Sequence, residues 1–162
     1  MTDLITDLYR QNEWANLETL RICRDLTDEQ LDSTAVGSYG SIRATLQHIV
    51  GAETGYAFRL GNTTTTRIRG DEPWHGFDTL EASVRGVVAT FIAAATDPGK
   101  VIRVGSDDEP YEVEASVILT QVLNHSTEHR SQVFSMLTGL GIEPPELSGW
   151  EWGLAVGKMH SV

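Results

Sequence analysis

EASVILTQVLNHSTEHRSQVFSMLTGL, residues 114–140, is the stretch whose reading decides the fold. Ile118, Val122, His125, His129, Val133, Met136 and Leu140 recur at steps of three and four. At about 100° per residue these seven positions fall within a sector of about 80°, one face of a helix. Gly139 and Gly141 end the pattern and Pro144-Pro145 prevents its continuation.

Two histidines stand in the middle of this apolar line, where a packed helix is expected to be dry. Burying an imidazole costs free energy unless its nitrogens find partners. His125 and His129 are one turn apart, about 6 Å of rise, so both rings can reach a single ion. The same spacing also fits two core histidines bonded to tyrosine, threonine or carboxylate side chains. A metal reading needs at least one further ligand. Of the remaining histidines, His160 is near the chain end, His75 lies in the loop Glu72-Pro73-Trp74-His75-Gly76, and His48 lies at the edge of a second helical stripe. An edge position can face a neighbouring helix, which ranks His48 ahead of His75.

Working outward, three more segments carry a helical period. The first spans about residues 2–26, with the stripe Leu4, Leu8, Asn12, Ala15, Thr19, Ile22 and Leu26; Thr27 and Gln30 then form a capping-box pattern. The second spans about 41–60 behind Ser41 as N-cap, with Ile42, Leu46, Ile49, Glu53, Tyr56 and Leu60 in line. The third spans about 78–96, with Asp78 and Glu81 at the spacing of a cap and its partner and an apolar stripe that supplies packing only. Residues 61–76, which include Thr63-Thr64-Thr65-Thr66, read as a loop. Val101–Val104 and Tyr111–Val113 flank a turn-rich hexapeptide and predict a small β-hairpin before the last long helix. The fold class is therefore all-α, a four-helix bundle with long second and third connections. A short helical tail carries Trp150 and Trp152.

Other polar residues interrupt the stripes. Glu53 must be paired, protonated or near a cation, as a carboxylate accepting an imidazole N–H, as a fourth ligand, or turned outward to solvent between helices. Asn12 reads as structural, bonding a buried group. Glu128 lies about 100° round from His129 and reaches either the site or the surface. Arg130 is expected in an ion pair near Glu128 or on a backbone carbonyl, and Gln132 lies closer to the histidine face.

With 162 residues and no repeat or linker, the chain is expected to be one domain, 1–162. Twelve basic and 23 acidic side chains give a net charge of −11. That charge disfavours nucleic-acid backbones and anionic membranes. No apolar run is long enough to span a bilayer, the N-terminus lacks a signal-peptide pattern, and the single cysteine cannot form an internal disulfide, so the cytoplasm is the expected location. Cys23 has no base near it in sequence and reads as a buried, inert thiol. Phosphate-binding glycine loops and the G-x-S-x-G elbow are absent.

Three motifs together resemble one family. Asn12-Glu13-Trp14-Ala15-Asn16 with Leu20, then Gly40-Ser41-Ile42-Arg43-Ala44-Thr45-Leu46-Gln47-His48-Ile49, then Asn124-His125-Ser126-Thr127-Glu128-His129-Arg130-Ser131-Gln132 followed by Leu140–Pro145, are similar in content and order to the DinB/YfiT-like metalloprotein superfamily. The resemblance implies an up-down-down-up four-helix bundle, a divalent ion (zinc or nickel foremost) on His48, His125 and His129, and a homodimer. It leaves the role of Glu53 open, and Glu128 stands where many members carry another histidine. Its best-understood members bind a low-molecular-weight thiol such as bacillithiol or mycothiol and transfer it. The implied function is a metal-dependent thiol S-transferase acting on a small-molecule substrate. Metal-assisted hydrolysis and a non-catalytic metal-binding or stress-response module are the alternatives, and a plain bundle with packed histidines is the last.

Overall fold

The structure is a computed structural model and describes residues 4–70, 72–106 and 108–160. Four long helices, α1 (Leu4–Cys23), α3 (Ile42–Arg59), α4 (Phe77–Ala94) and α5 (Ala115–Gly139), are joined by the single-turn helix α2 (Asp28–Leu31) and the strands β1 (Val101–Gly105) and β2 (Pro110–Glu114); α6 (Gly149–Ala155) follows. Helix α3 packs against α4 and α5, and α1 packs against the same two from the other side. No helix among the described residues is long and apolar enough to cross a membrane.

Local signals set the element ends. Thr27 Oγ1 accepts from the Gln30 N–H at 3.3 Å and Gln30 Oε1 accepts from the Thr27 N–H at 2.9 Å, so the capping box opens α2. Ser41 caps α3 by accepting from the Ala44 N–H at 3.2 Å. Helix α4 departs from expectation. It starts behind Gly76, at φ +82°, with no side-chain cap. Asp78 and Glu81 instead each accept from the Arg24 guanidinium at 2.8 Å, tying α4 to the end of α1. A charged donor outcompetes a backbone N–H for the same carboxylate.

The hairpin forms as an antiparallel pair running from Val101↔Glu114 to Gly105↔Pro110. Gly105 turns the chain at φ +94°, where a Cβ would meet the Glu109 carbonyl oxygen at 2.3 Å, so only glycine fits. Ile102 and Val104 pack onto Ala115 and Ile118, which covers the start of α5.

Helix α1 sits differently from its apolar stripe. Its inward residues are Tyr9, Asn12, Ala15, Asn16, Thr19, Leu20 and Cys23, whereas Leu4 and Leu8 are 70% and 41% exposed. The buried arc is rotated about 50° from the one that hydrophobicity picks out. The rotation brings Asn16 beside Asn12 into the interior, where both are bonded to buried charges described below.

The core is layered. Leu20, Ile42, Leu46, Leu80, Val84, Val133 and Leu137 belong to one apolar cluster, and Tyr9, Val87, Phe91, Leu119 and Val122 to another. On α1, α3 and α5 the residues between these two sets are polar: Asn12 and Asn16, Glu53, and Ser126, His129 and Arg130 are all buried. Cys23 is buried in the first cluster, and burial pushes its thiol up to about 12, which leaves it inert near neutral pH.

Candidate metal centre

Helix α3 and helix α5 place three imidazoles together. His48, His125 and His129 offer ring nitrogens that all lie within 4.8 Å of one another. Their ring centroids are 4.7 Å apart for His48–His125, 4.6 Å for His48–His129 and 4.4 Å for His125–His129. Nε2 of His125 is 3.0 Å from Nε2 of His48. His75 and His160 stand outside this group among the described residues. Nε2 of His75 meets Glu72 Oε2 at 3.0 Å in its loop, and His160 is exposed.

One neighbour settles a tautomer. Gln132 Oε1 accepts from the Tyr39 backbone N–H at 3.0 Å and lies 2.9 Å from His129 Nδ1. Because an N–H points at Oε1 from Tyr39, that atom is the amide oxygen, and His129 Nδ1 must be the donor. His129 Nε2 is then left with its lone pair. Tyr39 also lays its ring on His48, with centroids 3.8 Å apart and planes 14° from parallel, and presents its edge to His129 at 5.6 Å. Nothing in the sequence marked Tyr39, which lies where residues 37–40 break the helical pattern between α2 and α3. The residue reaches the site because that break folds back over α5.

The donor set fits a divalent ion. Nε2 of His125 and Nε2 of His48 converge at 3.0 Å, and His129 Nε2 keeps its lone pair, while Nδ1 of His125 is buried with no hydrogen-bond partner. Burial, and then the charge of His129, push His48 below its ordinary value; burial, then His129 and His48, push His125 down to about 4. Burial thus favours the neutral form of both rings, the form that ligates. Three imidazoles suit zinc, nickel and their neighbours in the first transition row.

The interior is less dry at this point than the apolar stripe predicts. His48 and His125 line a cleft of about 620 Å³, and both are only partly buried. His129 is the most enclosed of the three at 9% exposed. The cluster thus has a packed side and an open side.

Glu53 goes to neither a histidine nor solvent. It is 2% exposed, and its Oε1 accepts from Asn12 Nδ2 at 2.7 Å, Asn16 Nδ2 at 2.8 Å and Ser126 Oγ at 2.7 Å. The two asparagines present their Oδ1 atoms to Arg130 Nη1, at 2.8 Å and 2.6 Å. Arg130 Nη2 also donates to Thr127 Oγ1 at 3.1 Å. The expected surface ion pair or backbone contact of Arg130 is therefore replaced by a buried link, since α5 packs on α1 as well as on α3. Burial pushes Glu53 up and Arg130 down to about 10, and each charge opposes the other's shift. Three donors on one oxygen and a guanidinium behind them are the surroundings of a carboxylate. Asn12 has the structural role its position predicts, while Asn16 and Ser126 complete a network that the stripes alone did not reveal. Glu128 is exposed and takes no part in it.

A helical bundle with three convergent histidines on two helices, open on one side, is an arrangement that could hold a metal ion. The profile of the DinB family matches residues 1–152, and the chain belongs to that family. A crystal structure of a DinB-like protein from Bacillus cereus shares the fold at TM-score 0.67 and 18% identity, over 85% of this chain and 91% of that one. No curated protein matches the chain.

Proposed function

We propose that this protein is a metal-dependent enzyme in which His48, His125 and His129 hold one divalent ion, zinc or nickel, and which transfers a low-molecular-weight thiol such as bacillithiol or mycothiol to an electrophile. The observation that carries the reading is the convergence of three imidazoles beside an open cleft, with His129 Nε2 kept as an acceptor by Gln132. Three protein ligands and an accessible face are the mark of a catalytic rather than a structural ion. A divalent ion in this position supplies positive charge that lowers the pKa of a thiol, so that the thiolate prevails at neutral pH.

The chain's own residues do the rest. Gln132 fixes the tautomer of His129, and the stacked ring of Tyr39 holds the plane of His48. The Glu53–Arg130 link holds α5 in register against α1, so that His125 and His129 keep their heading. The cleft admits the substrate on the side of His48 and His125. In the transfer, a carbon–sulfur bond forms at the electrophilic carbon, the leaving group departs with its electron pair, and the thiol proton passes to solvent. The up-down-down-up helix order and a homodimer belong to the same proposal and rest on family kinship, and a cytoplasmic location rests on the sequence features given above.

Protein purified without a histidine tag is expected to carry close to one metal per chain, lost in His125→Ala. Thiol consumption with bacillithiol, mycothiol and glutathione against a test electrophile, with and without metal, reads the activity. Metal binding with no consumption across that panel points instead to hydrolysis or to a non-catalytic module, and no metal at all overturns the proposal.

A further inference from the structure

The open side of the cluster has a chemistry of its own. Three arginines, Arg59, Arg67 and Arg69, line the same cleft as His48 and His125. This runs against the charge balance of the chain, which is −11. Elsewhere Arg10, Arg21, Arg24 and Arg43 each sit on a carboxylate, but none of these three forms an ion pair among the described residues. Arg69 also acts on Glu72, through space and by its backbone N–H, yet its guanidinium is not bonded there.

The fold builds this arrangement. His48, Gly51, Ala52, Gly55, Tyr56 and Arg59 follow one face of α3, with residues of little or no side chain at 51, 52 and 55 making a smooth floor. Arg59 Nη1 donates to the Gly55 carbonyl at 3.1 Å, which folds its head back toward His48. The wall is the segment 67–70, which belongs to no helix or strand. Ile68 is 1% exposed, and its N–H donates to Thr54 Oγ1 at 3.1 Å, while Gln47 Nε2 donates to the Glu72 carbonyl at 2.8 Å. Arg67 and Arg69, on either side of the buried Ile68, are both exposed. Gly51 eases this closeness, because a Cβ there would lie 3.3 Å from the Ile68 carbonyl oxygen, tighter than an ordinary contact. The guanidinium of Arg67 lies 5.4 Å from the Phe58 ring centroid, which steadies it without neutralising it.

We propose that this cleft is an anion subsite: the protein takes a small molecule bearing a carboxylate or phosphate, gripped by Arg59, Arg67 and Arg69, with its reacting end at the three histidines. Guanidinium groups bind both oxyanions in paired hydrogen bonds. The inference rests on the proposed function for the reacting end, and its own part is testable without metal.

Metal-free protein is titrated calorimetrically at low salt with succinate, with inorganic phosphate and with uncharged succinamide. An anion is expected to bind and the diamide not to, and Arg59→Gln/Arg67→Gln/Arg69→Gln is expected to weaken anion binding at least about tenfold. The stronger of the two anions identifies the group. Since all three arginines are exposed, the variant is expected to keep its thermal midpoint and helical circular dichroism. No anion binding, or equal binding by the variant, overturns the subsite. With nickel-loaded protein, mercaptosuccinate and 2-mercaptoethanol are then compared through the nickel–thiolate charge-transfer band. A response to neither thiol, with anion binding intact, removes the thiol reading alone. An equal response to both, unchanged in the triple variant, removes the subsite alone.

Discussion

At the scale of single residues, the site depends on groups that touch no ligand themselves. Gln132 is the first, because it alone sets which nitrogen of His129 is free. Gln132→Leu is expected to weaken metal binding by about 10- to 100-fold in a chelator competition, with the helical spectrum unchanged. The buried Glu53–Arg130 link is the second. Arg130→Met leaves a carboxylate enclosed without its cation and is expected to cost about 3–5 kcal/mol in urea denaturation. Adding Glu53→Gln to that variant is expected to recover part of the loss, since the uncompensated charge is gone. His125 gives a pH signature. The fold holds it down at about 4 from an ordinary 6.5, so the unfolded chain binds the extra proton in that window. Stability of the metal-free protein should therefore fall as pH drops from about 6.5 toward 4, and His125→Phe should flatten that slope. A slope unchanged in the variant would assign the pH dependence to other groups.

At the scale of elements, ends were more legible than faces. Ser41 announced α3 from the sequence, and its cap is intact; Ser41→Ala is expected to cost about 1 kcal/mol of stability by thermal or chemical melting. Helix α5 was readable nearly to the residue, because its apolar period and its terminal glycines are local properties. Asp78 misled, since the same carboxylate that can cap α4 is also within reach of Arg24, 54 residues away. Helix α1 misled more. Its leucines at 4 and 8 made the strongest line, but two asparagines and Tyr9 took the inward arc. Hydrophobicity ranks faces by transfer from water, whereas a buried carboxylate and guanidinium on other helices can demand polar partners between them and turn the helix toward them.

For the whole molecule, two apolar layers enclose a polar belt, and the three histidines bring α3 and α5 together across it. Any ion that binds only the folded chain adds stability by mass action. Zinc or nickel at a hundredfold excess over its dissociation constant is expected to add about 2.7 kcal/mol, reversed by chelator and absent in His125→Ala. The helices, the caps of α2 and α3, the histidine pair one turn apart on α5 and the absence of a long apolar span were legible in the amino-acid sequence, because each is decided within a few neighbouring residues. Only the tertiary structure decided that His48 meets His125 from 77 positions away, that Arg130 reaches Asn12 across 118, and that three arginines share the cleft. Those meetings depend on how each helix is rotated about its own axis, and that rotation is a compromise among all its neighbours at once.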